Sequence, residues 1–195
     1  MLFLGVLFGL YTAAVVYALG SFLEERFPHE ETPFYTAFFS SAGGEEAVKV
    51  LFLFFLIWGN RNFNEPLDGI VYGVFVSLGF AWAENVIYVT HPILGGYETA
   101  FARALLSVPG HGLFGVRMGY YFALGKYRSR KRYLPLAFFS PYLAHALYNY
   151  FLLKREPVFW LFFSVLEARL WVFGLKRIKE LQNCSPFREK VSKES

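Results

Sequence analysis

The chain alternates long apolar stretches with short polar connections. Six stretches are each near or above the roughly 20 residues that a helix needs to cross a bilayer. They cover residues 2–23, 33–59, 66–90, 98–125, 133–153 and 156–175. The connections at 60–66 and 126–133 carry turn-forming or charged residues. The pattern predicts an all-α polytopic membrane protein with about six transmembrane helices in one bundle. We expect a single transmembrane domain over residues 1–195, ending in a polar tail at 176–195.

Composition favours the same class. The sequence is 55% hydrophobic and 21% aromatic, with 24 Phe and 13 Tyr residues. A soluble domain of this size could not bury so many aromatic rings in one core. The single cysteine, Cys184, excludes an internal disulfide. We therefore expect the lipid bilayer to surround most of the chain.

Positive charges are unevenly distributed among the predicted loops. Of the nineteen Lys and Arg residues, twelve fall in loops or the tail on the side of the N-terminus, three on the opposite side and four within spans. Because positively charged loops stay in the cytoplasm, both termini are predicted to be cytoplasmic. The net charge of +4 is explained by this topology, so no nucleic-acid partner is expected.

The first stretch has one feature of a cleaved signal peptide. Ala18, Leu19 and Gly20 resemble a small-residue cleavage site. However, residues 1–10 contain none of the positive charges with which signal peptides begin. The stretch is therefore predicted to be a transmembrane span.

Ionisable side chains fall at similar depths in four of the spans. Glu45 and Glu46 lie about twelve residues into the second span, His111 about thirteen into the fourth and His145 about twelve into the fifth. Glu84 lies in the third span, nearer its outer end. A charged side chain at the bilayer centre costs ~2.5–3.5 kcal/mol on insertion scales. A single polar pocket shared by four helices is the simplest explanation for this placement.

Helical spacing places further side chains beside these groups. His145 and Asn149 are four residues apart and share a helix face, as do Glu45 and Lys49. The Lys49 ammonium is therefore expected to neutralise one carboxylate. Two further stripes have the same spacing. One contains Phe80, Glu84 and Tyr88, and the other contains Arg103, Ser107 and His111. The supporting side chains of the pocket are predicted to be Lys49, Phe80, Glu84, Asn85 and Tyr88.

Two hydrolytic mechanisms would use these groups. In one, zinc is held by Glu84, His111 and His145, with Glu45 as the base. No HExxH motif is present, so such ligands would come from separate helices. In the other, no metal is required: a buried glutamate takes a proton from water, and a His/Asn pair donates hydrogen bonds to the oxyanion. Aspartyl catalysis is excluded, because Asp68 is the only aspartate.

The sequence resembles the PrsW family of intramembrane proteases, within the superfamily of the CAAX prenyl endopeptidases. Four blocks carry the resemblance, in the family's order, over about residues 43–152. The blocks are EEAVK (45–49), LDGIVYGVFVSLGFAWAENVIYV (67–89), RALLSVPGHGLF (103–114) and HALYN (145–149). The resemblance implies hydrolysis of peptide bonds in a membrane-anchored protein, in a bacterial or archaeal cytoplasmic membrane. In bacterial PrsW proteins the substrate class is an anti-sigma factor, cut on its extracytoplasmic side.

The resemblance also implies a role for each residue that matches a family motif. Glu45 matches the water-activating glutamate, and Glu46 is its partner in the first motif. His111 matches a motif with a single histidine. His145 and Asn149 match the pair that stabilises the oxyanion. The superfamily was first viewed as metalloproteases and later as glutamic proteases, so the resemblance leaves zinc open. A mechanism without cofactor is the favoured prediction, and zinc is the alternative.

Two functions without proteolysis compete with this prediction. A scaffold is one, because the scaffold subunit of γ-secretase is a remote relative whose histidines serve assembly. A transporter with a proton relay is the other, because relays also use buried acids and histidines. The full EExxK motif argues against a scaffold, and the absence of inverted repeats argues against a transporter. An intramembrane endopeptidase that uses a glutamate-activated water is the favoured prediction.

Overall fold

A computed structural model gives the arrangement of most of the chain. The residues it describes are 11, 14–16, 18, 22, 32–90, 96–128 and 131–187. Within these ranges the secondary structure is helical, and no strand occurs. Most of the predicted first span lies outside the described residues, as do the connection at 24–31 and the end of the tail. The predictions for those segments stay predictions.

The first long helix, α1, covers residues 33–57 and changes its backbone pitch along its length. Its four consecutive pieces are α-helix Pro33–Tyr35, π-helix Thr36–Gly43, α-helix Gly44–Phe52 and π-helix Leu53–Ile57. The hydroxyl of Thr32 caps its start. Glu45, Glu46 and Lys49 all lie in the α-helical piece between the two π-helical pieces. Wider π-helical turns inside longer helices are frequent at functional sites.

Five further helices follow α1. They are α2 (Pro66–Thr90), α3 (Gly96–Leu105), α4 (Ser107–Tyr127), α5 (Leu134–Lys154) and α6 (Pro157–Asn183). Two of them, α2 with 25 residues and α6 with 27, are long and apolar enough to cross a membrane. The described residues thus agree with a helical membrane protein. The number of spans and the side of the termini stay predictions.

The structure adds detail to two of the predicted segments. The fourth predicted span, 98–125, is divided between α3 and α4 at Leu106, whose φ and ψ are −109° and −60°. Pro109 follows, and its ring crowds the carbonyl group four residues earlier. The hydroxyl of Tyr148 donates a hydrogen bond to the Leu106 carbonyl oxygen at 2.8 Å and holds the break in place. In addition, α6 continues to Asn183, so the start of the predicted polar tail is helical.

Large apolar side chains are exposed along α6 and along the end of α1. Among those with more than half of their surface exposed are Phe55, Leu56, Leu161, Val172 and Leu175. In water such a surface would promote aggregation, whereas hydrocarbon chains solvate it. These faces are therefore suited to contact with lipid.

The backbones of α2 and α4 approach closely at a set of glycines. Gly69 and Gly73 of α2 face Gly115 and Gly119 of α4. A Cβ atom added to Gly115 would lie 2.6 Å from the carbonyl oxygen of Gly73, closer than real Cβ atoms come. Small residues allow such contacts between membrane helices. The contact lies in the first half of α2, before Phe80 and Glu84, and sets how α2 packs against α4.

The variant Gly119→Ala tests this contact. Its added methyl group would press on the backbone of Gly69 and Ile70, and we expect a loss of about 1–3 kcal/mol of stability. For a chain of this size, the unfolding temperature in detergent should fall by about 2–4 °C for each kcal/mol of lost stability. Gly59→Ala is the matched control, because nothing lies within 4 Å of a Cβ atom there. Equal melting temperatures for the two variants would contradict the prediction.

Candidate active site

Three charged side chains of α1 are buried together. Glu46 and Lys49 have no exposed surface, and Glu45 is 5% exposed. The Nζ atom of Lys49 lies 2.7 Å from Oε1 of Glu46 and 3.5 Å from Oε2 of Glu45. Spacings of three and four residues bring both carboxylates to the same ammonium group. The expected contact between Glu45 and Lys49 is present, and Glu46 is the closer partner.

His145 of α5 connects to this group through one ring nitrogen. Its Nδ1 atom lies 2.9 Å from Oε1 of Glu46 and 4.0 Å from Oε2 of Glu45. Its Nε2 atom lies 3.1 Å from the amide Nδ2 of Asn149. An amide nitrogen only donates, so Nε2 accepts, and a neutral His145 ring carries its proton on Nδ1. That proton then points at Glu46.

A second connection runs from Asn149 to Glu45 through a serine. Nδ2 of Asn149 donates to Oγ of Ser41 at 2.8 Å, and this hydroxyl donates to Oε1 of Glu45 at 3.3 Å. Ser41 was not among the predicted site residues. Its position four residues before Glu45 on the same helix was the signal that could have identified it.

His111 of α4 lies on the other side of the lysine. Its Nδ1 atom is 3.1 Å from Nζ of Lys49, and its Nε2 atom is 3.3 Å from Oε2 of Glu84. Nη2 of Arg103 lies 2.6 Å from the same oxygen of Glu84. The ammonium group only donates, so Nδ1 of His111 accepts and Nε2 carries the proton. The described site therefore draws on α1, α2, α3, α4 and α5.

Aromatic rings enclose the polar groups. Phe114 stacks on His145 with ring centroids 4.7 Å apart, and the two histidine rings are 4.9 Å apart. Nζ of Lys49 lies 4.3 Å from the centroid of the Phe80 ring. An ammonium ion is attracted to the face of an aromatic ring. These rings hold the charged groups in fixed positions and separate them from lipid.

The remaining supporting residues lie further from the glutamates. Tyr88 contacts Arg103, whose Cζ atom lies 4.0 Å from the tyrosine ring centroid. Oδ1 of Asn85 is buried and has no hydrogen-bond partner among the described residues. The five predicted catalytic residues, by contrast, are connected by the short contacts given above. Arg103 was noted only for its spacing from His111, and the structure adds it to the site through Glu84.

Four of these side chains offer the atom types that zinc binds. Their potential ligand atoms all lie within 4.8 Å of one another, and the residues are Glu45, Glu46, His111 and His145. This set contains both glutamates of α1 in place of the predicted ligand Glu84. The ammonium group of Lys49 lies among the same atoms, 2.7 Å from Glu46 and 3.1 Å from His111. A dication at that position would meet a fixed positive charge, so this arrangement does not accommodate zinc unless Lys49 moves.

Comparison with known proteins identifies relatives of the chain. A profile described as PrsW family intramembrane metalloprotease matches residues 1–173. The chain is 41% identical over 152 residues to Protease PrsW of Geobacillus kaustophilus, covering 76% of this chain and 65% of that protein. It is 39% identical over 181 residues to Protease PrsW of Oceanobacillus iheyensis, covering 92% and 80%. With Protease PrsW of Bacillus subtilis it shares 37% identity over 154 residues, covering 77% and 68%. No solved structure matches the chain.

Proposed function

Because the chain belongs to the PrsW family of intramembrane proteases, we propose that it hydrolyses peptide bonds of membrane-anchored proteins with a water molecule activated by Glu45. The observation that carries this proposal is the difference between the two buried glutamates. Oε1 of Glu46 is bound by Lys49 at 2.7 Å and by His145 at 2.9 Å. The nearest contacts of Glu45 are longer, at 3.3 Å to Ser41 and 3.5 Å to Lys49. Oε2 of Glu46 has no hydrogen-bond partner among the described residues but is fully buried, whereas the Glu45 side chain is 7% exposed. Glu45 is therefore the carboxylate more accessible to a water molecule.

The reaction would proceed as a general base mechanism. Glu45 takes a proton from water, and the water oxygen attacks the carbonyl carbon of the scissile peptide bond. The electron pair of the carbonyl group moves to its oxygen, which becomes a tetrahedral oxyanion. When this intermediate collapses, the C–N bond breaks and the proton held by Glu45 passes to the leaving amine. One product gains a carboxyl group and the other an amino group.

Donors for the oxyanion stand close to Glu45. Both N–H groups of the Asn149 amide are engaged, one with Ser41 at 2.8 Å and one with Nε2 of His145 at 3.1 Å. One of them would turn to the oxyanion when substrate binds. The Lys49 ammonium supplies a fixed positive charge beside the developing negative charge. Such preorganised groups stabilise the transition state most strongly where water is excluded.

The proposed substrate is a membrane-anchored protein with a cleavage site on the extracytoplasmic side. The resemblance to PrsW proteins favours an anti-sigma factor. Under the predicted topology the outer end of α2, which carries Glu84, faces away from the cytoplasm.

A zinc-dependent version of the same protease is the second candidate. It is favoured by the four donor atoms that lie within 4.8 Å of one another. Bound zinc in such enzymes polarises the scissile carbonyl and activates a water molecule. Lys49 would have to leave its present position for this version to operate. The two candidates therefore differ in their response to a chelator.

Cleavage by the purified protein in lipid vesicles tests the proposal. The probes are single-span anti-sigma factors encoded in the same genome, with products identified by mass spectrometry. We expect cleavage that persists in a zinc chelator. Loss in chelator with recovery on added zinc would support the zinc-dependent version instead. If none of these probes is cleaved and the protein dissipates a proton gradient, the transporter alternative is supported.

The variant His145→Ala tests the site in the same assay. We expect its cleavage rate to fall by about 10²–10³-fold, as for the loss of an oxyanion donor, because the ring holds the amide of Asn149 at 3.1 Å. Ser77→Ala is a suitable control, because Ser77 is fully buried and its hydroxyl has no hydrogen-bond partner among the described residues. Unchanged cleavage by His145→Ala would contradict the assignment.

A further inference from the structure

We propose that Arg103 is a positioning residue that holds the Glu84 carboxylate beside His111 and, through it, orients the His111 ring. The inference deepens the proposed proteolytic function and rests on it. It concerns α3, which ends at the helix break before Leu106. Because of that break, α3 is a separate helix from α4, and its Arg103 meets Glu84 of α2.

The contact between Arg103 and Glu84 is a close ion pair, although its geometry is not that of a hydrogen bond. Nη2 of Arg103 lies 2.6 Å from Oε2 of Glu84. The two side chains are 20% and 18% exposed, so the pair is largely removed from solvent. The guanidinium group also lies 4.0 Å from the ring centroid of Tyr88. A planar guanidinium that is stacked on one side and paired on another has a single favoured orientation.

The effect reaches His111 through the carboxylate. Oε2 of Glu84 is also the oxygen that lies 3.3 Å from Nε2 of His111. On the opposite edge of the ring, the Lys49 ammonium lies 3.1 Å from Nδ1. A neutral imidazole has one donor and one acceptor nitrogen. Lys49 only donates, so Nδ1 accepts and the proton lies on Nε2, on the side of the ring where the Glu84 carboxylate stands.

Charge explains why Glu84 needs Arg103. Glu84 is a third carboxylate near Glu45 and Glu46, whose nearest cation is Lys49. A buried carboxylate without a cation is strongly unfavourable, so without Arg103 the Glu84 side chain would turn away from the other carboxylates and from His111. Arg103 thus keeps Glu84 in place without touching the water or the peptide.

Arg117 provides a matched comparison. It is another arginine inside a predicted span, on α4 in the same helix as His111. Its Nε atom donates to Oγ of Ser140 at 3.0 Å, and its Cζ atom lies 4.5 Å from the ring centroid of Phe173. These contacts join α4 to α5 and α6 and involve none of the proposed catalytic side chains. We expect removal of the Arg117 guanidinium to weaken the packing of α4 against α5 and α6 and to leave His111 unaffected.

Kinetics with the anti-sigma factor probes give the first test. We expect Arg103→Met to lower kcat by about 10- to 100-fold, the range seen when an orienting partner of a site imidazole is lost. KM should change little, because Arg103 acts through Glu84. Arg103→Lys should recover only part of kcat, because it keeps the positive charge without the planar group that stacks on Tyr88. Arg117→Met should keep the wild-type kcat. Equal kcat for Arg103→Met and wild type would overturn the inference.

A second readout does not depend on activity. Nitrogen-15 NMR of histidine-labelled protein reports the surroundings of each ring nitrogen, and His111→Gln identifies the His111 signals. We expect the Nε2 signal of His111 to shift in Arg103→Met and Glu84→Gln and to keep its wild-type position in Arg117→Met. An unchanged His111 signal in Arg103→Met would overturn the inference, even with reduced cleavage. Retained cleavage in Glu45→Gln would instead refute the proposed function, and the NMR result would still decide the role of Arg103.

Discussion

Glu45→Gln is expected to lose cleavage activity while the protein stays folded. Glutamine has the shape of glutamate and can still accept the hydrogen bond from Ser41, but its amide cannot take a proton from water. Loss of a general base reduces the rate by about 10²–10⁴-fold. The contact to Lys49 is long, at 3.5 Å, so its loss should change stability little. Initial cleavage rates and thermal unfolding in detergent measure the two effects separately.

Glu167→Gln is the matched control for this experiment. Glu167 is a half-buried glutamate of α6 that accepts a hydrogen bond from Trp171 at 2.9 Å. The Glu167→Gln variant makes the same chemical change in a helix that contributes no proposed catalytic residue, so cleavage should be unaffected. The assignment would be contradicted if Glu45→Gln cleaved normally while Glu46→Gln did not, because the water would then belong to Glu46.

The helical spacing of the sequence predicted which side chains share a helix face. Phe80, Glu84 and Tyr88 follow one stripe, and their contacts to Lys49, His111 and Arg103 all lie on one side of α2. The contact between His145 and Asn149 was predicted in the same way. These relations depend on local geometry, which is fixed at 3.6 residues per turn. They can therefore be read from the sequence wherever a helix is correctly identified.

The helical spacing did not predict which of two possible partners a side chain contacts. Lys49 has one carboxylate three residues before it and another four residues before it, and both spacings allow an ion pair. The position of His145 on α5 favours Glu46, because Nδ1 of His145 and Nζ of Lys49 meet at the same Glu46 oxygen. The break at Leu106 was also not placed by the hydrophobic pattern, which is apolar on both sides of it. Both features depend on contacts between helices, which a single sequence does not specify.

Lys49→Met is expected to cause the largest loss of stability of the single substitutions considered. Methionine fills a similar volume but leaves the Glu46 carboxylate buried without its cation at 2.7 Å. Breaking a buried ion pair by removing one partner costs about 3–5 kcal/mol. For a chain of this size, that corresponds to a fall of about 6–20 °C in the unfolding temperature. Cleavage should be lost as well, because the positive charge beside the oxyanion is removed.

Lys126→Met is the control for this variant. The ammonium group of Lys126 donates to the carbonyl oxygens of Trp58 and Phe63 at 2.9 and 3.1 Å, so its partners are neutral. Its loss should cost about 0.5–1.5 kcal/mol, as for other hydrogen bonds.

Zinc then tests what Lys49 does. If its ammonium stands where a dication would bind, added zinc should raise the unfolding temperature of Lys49→Met and leave wild type unchanged, because a ligand stabilises only a protein that binds it. Zinc stabilisation of wild type to the same extent would show that Lys49 does not occupy that position, and the zinc-dependent mechanism would then be favoured.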